Sequence, residues 1–250
     1  RMHCDGSGYD YADAPRTVAA VSFLTEASAL EAILPPGLSL AGEPVVTVEA
    51  SALTELGWLA GRGYNILGVR FPARFRGRSD SAVGPFLAVL WENRPEPIIS
   101  GREELGFAKL FCELPPERVL RGRRHLSASW DGHEFMRMEL GALRDAAPPG
   151  APAAADTPGS LTGTLHYRYM PKVSAPGEAD IEEVVLTPSG GVSLRYETYQ
   201  HGDGAVEFLP STWQQLPTMH HIVNALAALP VREMRGAFYA RTRGAKDLSD

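Results

Sequence analysis

Between Val69 and Arg78 the chain alternates with period two: Val69, Phe71, Ala73 and Phe75 fall on one side, Arg70, Arg74, Arg76 and Arg78 on the other. Only an extended strand sends successive side chains to opposite faces, so this stretch commits the chain to a sheet with one apolar and one charged face. The arginine row is either a ligand surface or a solvated face, and in a chain of net charge −6 the solvated face is the better reading. More strands follow from β-branched and apolar runs: Thr17 to Leu24, Pro44 to Ala52, Phe86 to Trp91, Leu161 to Met170, Ile181 to Leu186 and Val192 to Tyr199. Val119 to Trp130 and Glu134 to Leu140 flank Asp131-Gly132, a dipeptide suited to a two-residue hairpin turn. Leu53 to Gly63, with three glycines, is expected to be a loop carrying Trp58, and Asn93 to Pro97 to break a strand.

Helices are few. Thr25 offers an N-cap to a short helix bearing Leu30, Ile33 and Leu34, which Pro35-Pro36-Gly37 must stop. His220 to Ala228 has a helical period closed by Pro230. The chain is therefore expected to be mainly β, an antiparallel α+β architecture with a few short helices. Its 250 residues fit one domain, residues 1–250, with the Ala/Pro-rich stretch 146–159 as a surface loop.

Acidic net charge argues against a nucleic-acid partner. No apolar run approaches the length of a membrane span, and no signal-peptide pattern opens the chain, so a cytoplasmic protein is expected. Cys4 and Cys112 are too few for a disulfide framework. Phosphate-loop, nucleophile-elbow and two-histidine zinc spacings are all missing, and adjacent His220 and His221 suit packing better than metal ligation. No metal site is expected.

Three lysines occur, at 109, 172 and 246, against 21 arginines. Lys172 and Lys246 sit among polar and small residues, whereas Lys109 lies between Phe107-Ala108 and Leu110-Phe111. A lysine in such a place either snorkels its ammonium out to water or loses hydration and favours the neutral amine. A neutral amine is a nucleophile toward carbonyl carbon.

The run Gly101-Arg-Glu-Glu-Leu-Gly-Phe-Ala-Lys109 resembles the segment around the Schiff-base lysine of the acetoacetate decarboxylase superfamily. The likeness extends in order along most of the chain. Tyr11 to Thr25 with the helix ending in Leu34-Pro-Pro-Gly-Leu38 is similar to the family's start, Gly63 to Gly77 and the strand into Glu96-Pro97 to its middle, and Leu229-Pro-Val-Arg-Glu233 to its end. The resemblance implies a closed, cone-like antiparallel β-barrel whose interior holds the reactive lysine, and a homo-oligomer.

It also implies a set of site residues. Lys109 would form the imine; Arg16 would clamp a substrate carboxylate; and Tyr239 would orient a water or move a proton. From the residues themselves, Phe107, Phe23 and Trp91 are candidate pocket walls or plain core aromatics, and Arg102 and Glu103, charged in an otherwise apolar neighbourhood, are expected to pair inside and support the loop that presents Lys109. Two positions depart from the family's pattern. Leu110 stands where the decarboxylase has a second lysine, and Ile66, with Asn65 beside it, stands where it has a glutamate.

Without that acid the pocket should retain a carboxylate rather than expel one. The expected function is a Schiff-base lyase acting on a small keto acid, with aldolase or dehydratase chemistry between a pyruvate-like α-keto acid and an aldehyde. A β-keto acid decarboxylase and a non-catalytic ligand-binding protein are the alternatives. No cofactor is required, because a protonated imine is itself the electron sink.

Overall fold

The computed structural model describes residues 13–149, 161–188 and 194–244. Cys4, Tyr11, Lys246 and residues 150–159 of the Ala/Pro-rich loop lie outside them. The chain opens with β1 (Pro15–Leu24), α1 (Ala27–Glu31), β2 (Leu38–Leu40), β3 (Val45–Leu56), β4 (Arg62–Arg76) and β5 (Ser81–Glu92). Then come α2 (Pro95–Glu103), β6 (Lys109–Phe111), β7 (Arg118–Leu120), β8 (Arg123–Trp130) and β9 (His133–Asp145). It ends with β10 (Leu161–Pro171), β11 (Ala179–Pro188), β12 (Arg195–Phe208), α3 (His220–Ala227) and β13 (Glu233–Arg243). No described helix is long and apolar enough to cross a membrane.

All thirteen strands of the described residues join one sheet in the order β11-β10-β5-β4-β3-β1-β13-β12-β9-β8-β7, with β2 added to β4 and β6 to β5. Most pairs are antiparallel; β10 and β6 run parallel to β5. Among the described residues the path ends at β11 and β7 without closing, so the structure shows a strongly rolled sheet and not the closed barrel that the resemblance implies. The rolling is evident on both faces. Six strand steps separate β10 from β12, about 29 Å if the sheet were flat, yet Thr164 and Tyr199 line one cavity. Six steps also separate β5 from β9, yet the rings of Trp91 and Phe135 lie 5.5 Å apart.

Strand register sorts the side chains. Arg16, Val18, Ser51, Glu49, Ile66, Gly68, Leu90 and Glu92 are linked by direct cross-strand pairing and so share one face, hereafter the cavity face. Ala19, Val21, Phe23, Val46, Val48, Leu67, Val69, Phe71 and Trp91 occupy the other, the core face, and build the main apolar core with β9 and α3.

Several local expectations change. Leu53 to Gly63 is not a loop: β3 runs to Leu56, a single 3-10 turn at Gly57–Leu59 reverses the chain, and β4 begins at Arg62. Left-handed Ala60 and Gly61 make that reversal, while Leu53 and Leu56 are buried. Glu26, not Thr25, stands at the N-cap of α1, which has five residues and no side-chain cap. Thr25 instead anchors its backbone N–H on the Pro44 carbonyl at 3.0 Å. Pro95 starts α2 rather than ending order, because at the first helical position a missing N–H costs nothing. Asp131 and Gly132 do turn the β8–β9 hairpin, both at positive φ. In the arginine row, Arg76 and Arg78 are exposed, but Arg70 turns to the cavity face and bonds Glu49.

Candidate active site

Lys109 opens β6, opposite Leu90 of β5 in a parallel pairing. The turn before it is tied twice: Phe107 donates its N–H to the Gly101 carbonyl at 3.0 Å, and left-handed Gly106 lets the chain reverse. The pairing sends the Lys109 side chain to the cavity face beneath α2, where it has 0 % exposure. Its Nζ donates to the Pro97 carbonyl at 3.0 Å and lies 3.0 Å from Glu92 Oε1, whose side chain is also wholly buried. Gly101 makes room for it, since a Cβ there would stand 2.4 Å from Nζ. The lysine is thus buried rather than snorkelling, and its charge is balanced by Glu92.

Glu92 was not legible as a partner because it lies 17 residues upstream, at the end of an apolar strand. The available signal was its parity with Leu90: an acid on the same side of β5 as the residue facing the lysine strand.

On the same face lies a cavity of about 420 Å³, lined among others by Tyr199, Phe238, Leu90 and Ile66; Lys109 and Glu92 do not line it themselves but pair in the sheet with Leu90 and Ile66, which do. Its polar wall is an ion cluster. Arg16 Nη2 bonds Glu49 Oε1 at 2.8 Å and Ser51 Oγ at 2.9 Å, and Arg70 Nη2 bonds Glu49 Oε2 at 2.7 Å. Two guanidinium groups on one carboxylate leave a net charge of +1. Burial pushes the Glu49 carboxyl up, but Arg70 and Arg16, helped by the Ser51 hydroxyl, outweigh it and hold the group below its usual value.

A depressed carboxyl contributes stability that is complete above the unfolded-state value, about 4.3 for Glu, and is lost as pH falls through the folded value. Glu49→Gln should therefore lower stability by about 1–2 kcal/mol at pH 7, a charged hydrogen-bond contribution reduced by the exposure of Arg70. It should also flatten the fall of Tm below pH 5. Thermal melts from pH 3 to 7 measure both, and an unchanged acid limb would count against the cluster.

Of the residues singled out by sequence, Arg16, Ile66, Lys109 and Phe107 come to this side. Phe107 covers the amine, its ring centroid 5.6 Å from Nζ. Trp91, Asn65, Tyr239 and Phe23 do not, because strand alternation turns them to the core face. Trp91 packs on Phe135 and Phe208 and donates Nε1–H to Met219 Sδ at 3.3 Å. Asn65 ties down the segment after β6 through the Leu114 carbonyl at 2.8 Å. Tyr239 lies under the Arg124 guanidinium, 3.7 Å from its ring, and donates to Glu117. Arg102 and Glu103 are exposed rather than paired inside. Arg102 still supports the loop, donating to the Lys109 carbonyl at 2.9 Å, while Glu103 offers only its backbone carbonyl, to Arg168.

Sequence reasoning also passed over His166, on the cavity side of β10. Its ring stacks on Phe107 with centroids 4.0 Å apart, and Nε2 lies 2.9 Å from the Leu105 carbonyl. Burial holds the imidazole below its usual value, only partly offset by that carbonyl, which favours the neutral ring; facing a carbonyl, Nε2 carries the hydrogen and donates. His166 thereby clamps the Leu105–Phe107 turn over the amine.

Similar folds are found among solved structures. The acetoacetate decarboxylase of Legionella pneumophila subsp. pneumophila str. Philadelphia 1 superposes with a TM-score of 0.67 at 17 % identity, covering 98 % of this chain and 90 % of that chain. The enduracididine biosynthesis enzyme MppR, complexed with the condensation product of pyruvate and imidazole 4-carboxaldehyde, gives 0.65 at 16 % identity, with 98 % and 92 % covered. An acetoacetate decarboxylase-like enzyme from Sphingomonas wittichii RW1 gives 0.62 at 19 %, with 99 % and 98 % covered. At such identities the likeness establishes the fold. Among curated protein sequences none matches significantly. The acetoacetate decarboxylase (ADC) family, however, matches residues 5–245, nearly the whole length, and the chain belongs to that family.

Proposed function

We propose that the protein is a Schiff-base-forming lyase for a small keto acid, with aldolase or dehydratase chemistry between a pyruvate-like α-keto acid and an aldehyde. The observation that carries this reading is the wholly buried Lys109–Glu92 pair, set on the same sheet face as a cavity whose arginine cluster holds one net positive charge. Passing a proton from Nζ to Glu92 leaves the pair's total charge at zero. The nucleophilic amine therefore forms without moving net charge into or out of the interior, where an uncompensated charge is costly.

In the proposed sequence the amine adds to the ketone carbon, and the proton that Glu92 took from Nζ leaves with the carbinolamine hydroxyl as water, giving an iminium and a Glu92 carboxylate. Glu92 as carboxylate takes a proton from the adjacent carbon, and the iminium becomes an enamine. The enamine carbon attacks the aldehyde, whose oxygen takes that proton from Glu92. Glu92 then takes a second proton from that carbon and gives it to the hydroxyl, which leaves as water with formation of the carbon–carbon double bond, and hydrolysis of the iminium frees Lys109. Arg16 and Arg70 offer the +1 field that holds the keto acid's carboxylate. Leu90 neighbours Lys109 in the ladder and lines the cavity, so it is the side chain a substrate must push past.

Decarboxylation requires that carboxylate to be lost. Ile66 puts no acid on β4 to repel it, and Glu92, which supplies an acid from β5, is neutralised by the lysine. The difference between a positive wall and one bearing an extra negative charge is about 4 kcal/mol at 4 Å with an effective dielectric near 20. The relatives support both chemistries: one was solved with a pyruvate–aldehyde condensation product, others are decarboxylases.

The test is to incubate the protein with acetoacetate, and separately with pyruvate and imidazole 4-carboxaldehyde, following carbon dioxide and carbon–carbon bond formation. Condensation is expected, with little carbon dioxide. Rapid acetone release without condensation would replace this reading by the decarboxylase, and inertness toward both by a ligand-binding protein.

A further inference from the structure

A second cavity, of about 310 Å³, lies on the core face of β1 and β3, at their backs relative to Arg16 and Glu49. The chain carves it by residue size. Reading the core-face ladder of these two strands, the pairs run Phe23–Val46, Val21–Val48, Ala19–Ala50 and Thr17–Ala52. Large residues fill one end, and the side chains shrink toward the other, where Thr54 continues β3 to an exposed mouth. Leu126 and Met136 form the opposite wall, and Leu114-Pro115-Pro116 the roof. The two prolines fix their own backbone torsions, so the roof does not collapse into the space.

One charged group borders this mainly apolar space. Glu117 lines it and accepts bonds from Arg124 Nη1 and, at 3.4 Å, from Tyr239 Oη. Both bonds end on Oε1, and Oε2 is the acceptor that remains. Arg124 balances the carboxylate's charge and is itself stacked on Tyr239, so the group is fixed in place.

We propose that this cavity is a second ligand site, separate from the Lys109 site, for a small uncharged molecule with an aromatic or branched aliphatic body and one hydrogen-bond donor. The space is about twice the 150 Å³ apolar cavity that takes up benzene, enough for a substituted ring. The body fills the gap left by Ala19, Ala50 and Ala52, and the donor, an alcohol or amide, reaches Glu117. An anion is disfavoured, because it would face that carboxylate.

Benzyl alcohol and benzoate serve as probes, followed by protein-observed NMR titration with the whole chain. Saturable one-to-one binding of benzyl alcohol is expected, with benzoate at least tenfold weaker. Ala50→Leu and the milder Ala52→Val should each weaken benzyl alcohol at least tenfold by filling the space. Glu117→Gln, which leaves the cavity open, should narrow the gap between the two probes. Pyruvate should not displace benzyl alcohol. Absence of saturable binding in the wild type, or binding insensitive to Ala52→Val and Glu117→Gln, would overturn the proposal. So would displacement by pyruvate, which would place the probe in the first cavity. None of these readouts depends on imine formation, so failure of the lyase reading leaves them interpretable.

Discussion

Borohydride added with pyruvate is expected to increase the protein's mass by one pyruvate less one water plus two hydrogens, on Lys109 and nowhere else. Lys109→Ala should abolish the adduct. Lys172 is the internal control: its ammonium is exposed and bonds Glu178 at 3.2 Å, so it is accessible but strongly hydrated. An adduct on Lys172 in place of Lys109 would end the Schiff-base proposal. Loss of capture in a misfolded variant would prove nothing, and misfolding is a real hazard here. Removing one partner of a buried ion pair costs about 3–5 kcal/mol, a large part of the 5–15 kcal/mol that holds a domain together. The double replacement Lys109→Met with Glu92→Leu removes both charges at similar volume and should recover most of that loss. A stable, capture-negative double variant separates the amine's chemistry from its structural role.

Glu92→Gln is the complementary experiment. Glutamine keeps the shape and an oxygen within reach of Nζ but cannot take a proton. Exchange of the pyruvate methyl protons for deuterium, which reports enamine formation, should fall by about 10²–10⁴-fold, the usual contribution of a positioned acid–base group. Slow borohydride capture should persist, because the amine remains. Unchanged exchange in Glu92→Gln would assign the proton transfer to another group and reduce Glu92 to a counter-ion.

Strand content and the identity of the buried lysine were readable because both are local. The alternation through Val69 to Phe75 and the Asp131-Gly132 turn need no knowledge of neighbours, and a lone lysine between aromatic residues stands out in an arginine-rich chain. Whatever depends on register was not readable. Asn65 and Ile66 fall together at the position of the family's pocket glutamate, although adjacent strand positions must face opposite ways. Trp91 and Tyr239 fell to the wrong face for the same reason. The two inward carboxylates, Glu92 and Glu49, gain their meaning only from strands 17 and 33 residues away, where Lys109 and Arg16 meet them. Barrel closure likewise depends on whether the last strands pair, which no single segment encodes.

Strands β1 and β3 form a partition between two chambers, and their pleat decides which chamber each position serves. Arg16, Val18 and Glu49 address one; Thr17, Ala19, Ala50 and Ala52 address the other. Point substitutions at alternate positions can therefore remodel one chamber while the lining of the other stays as it was, so the two can diverge independently within a lineage or be engineered separately. Insertions behave in the opposite way: one extra residue in either strand would exchange the two linings at once. Ile66 lines both chambers, and Ser51, which lines the second, holds Arg16 of the first at 2.9 Å, so these are the positions where a single change is felt on both sides.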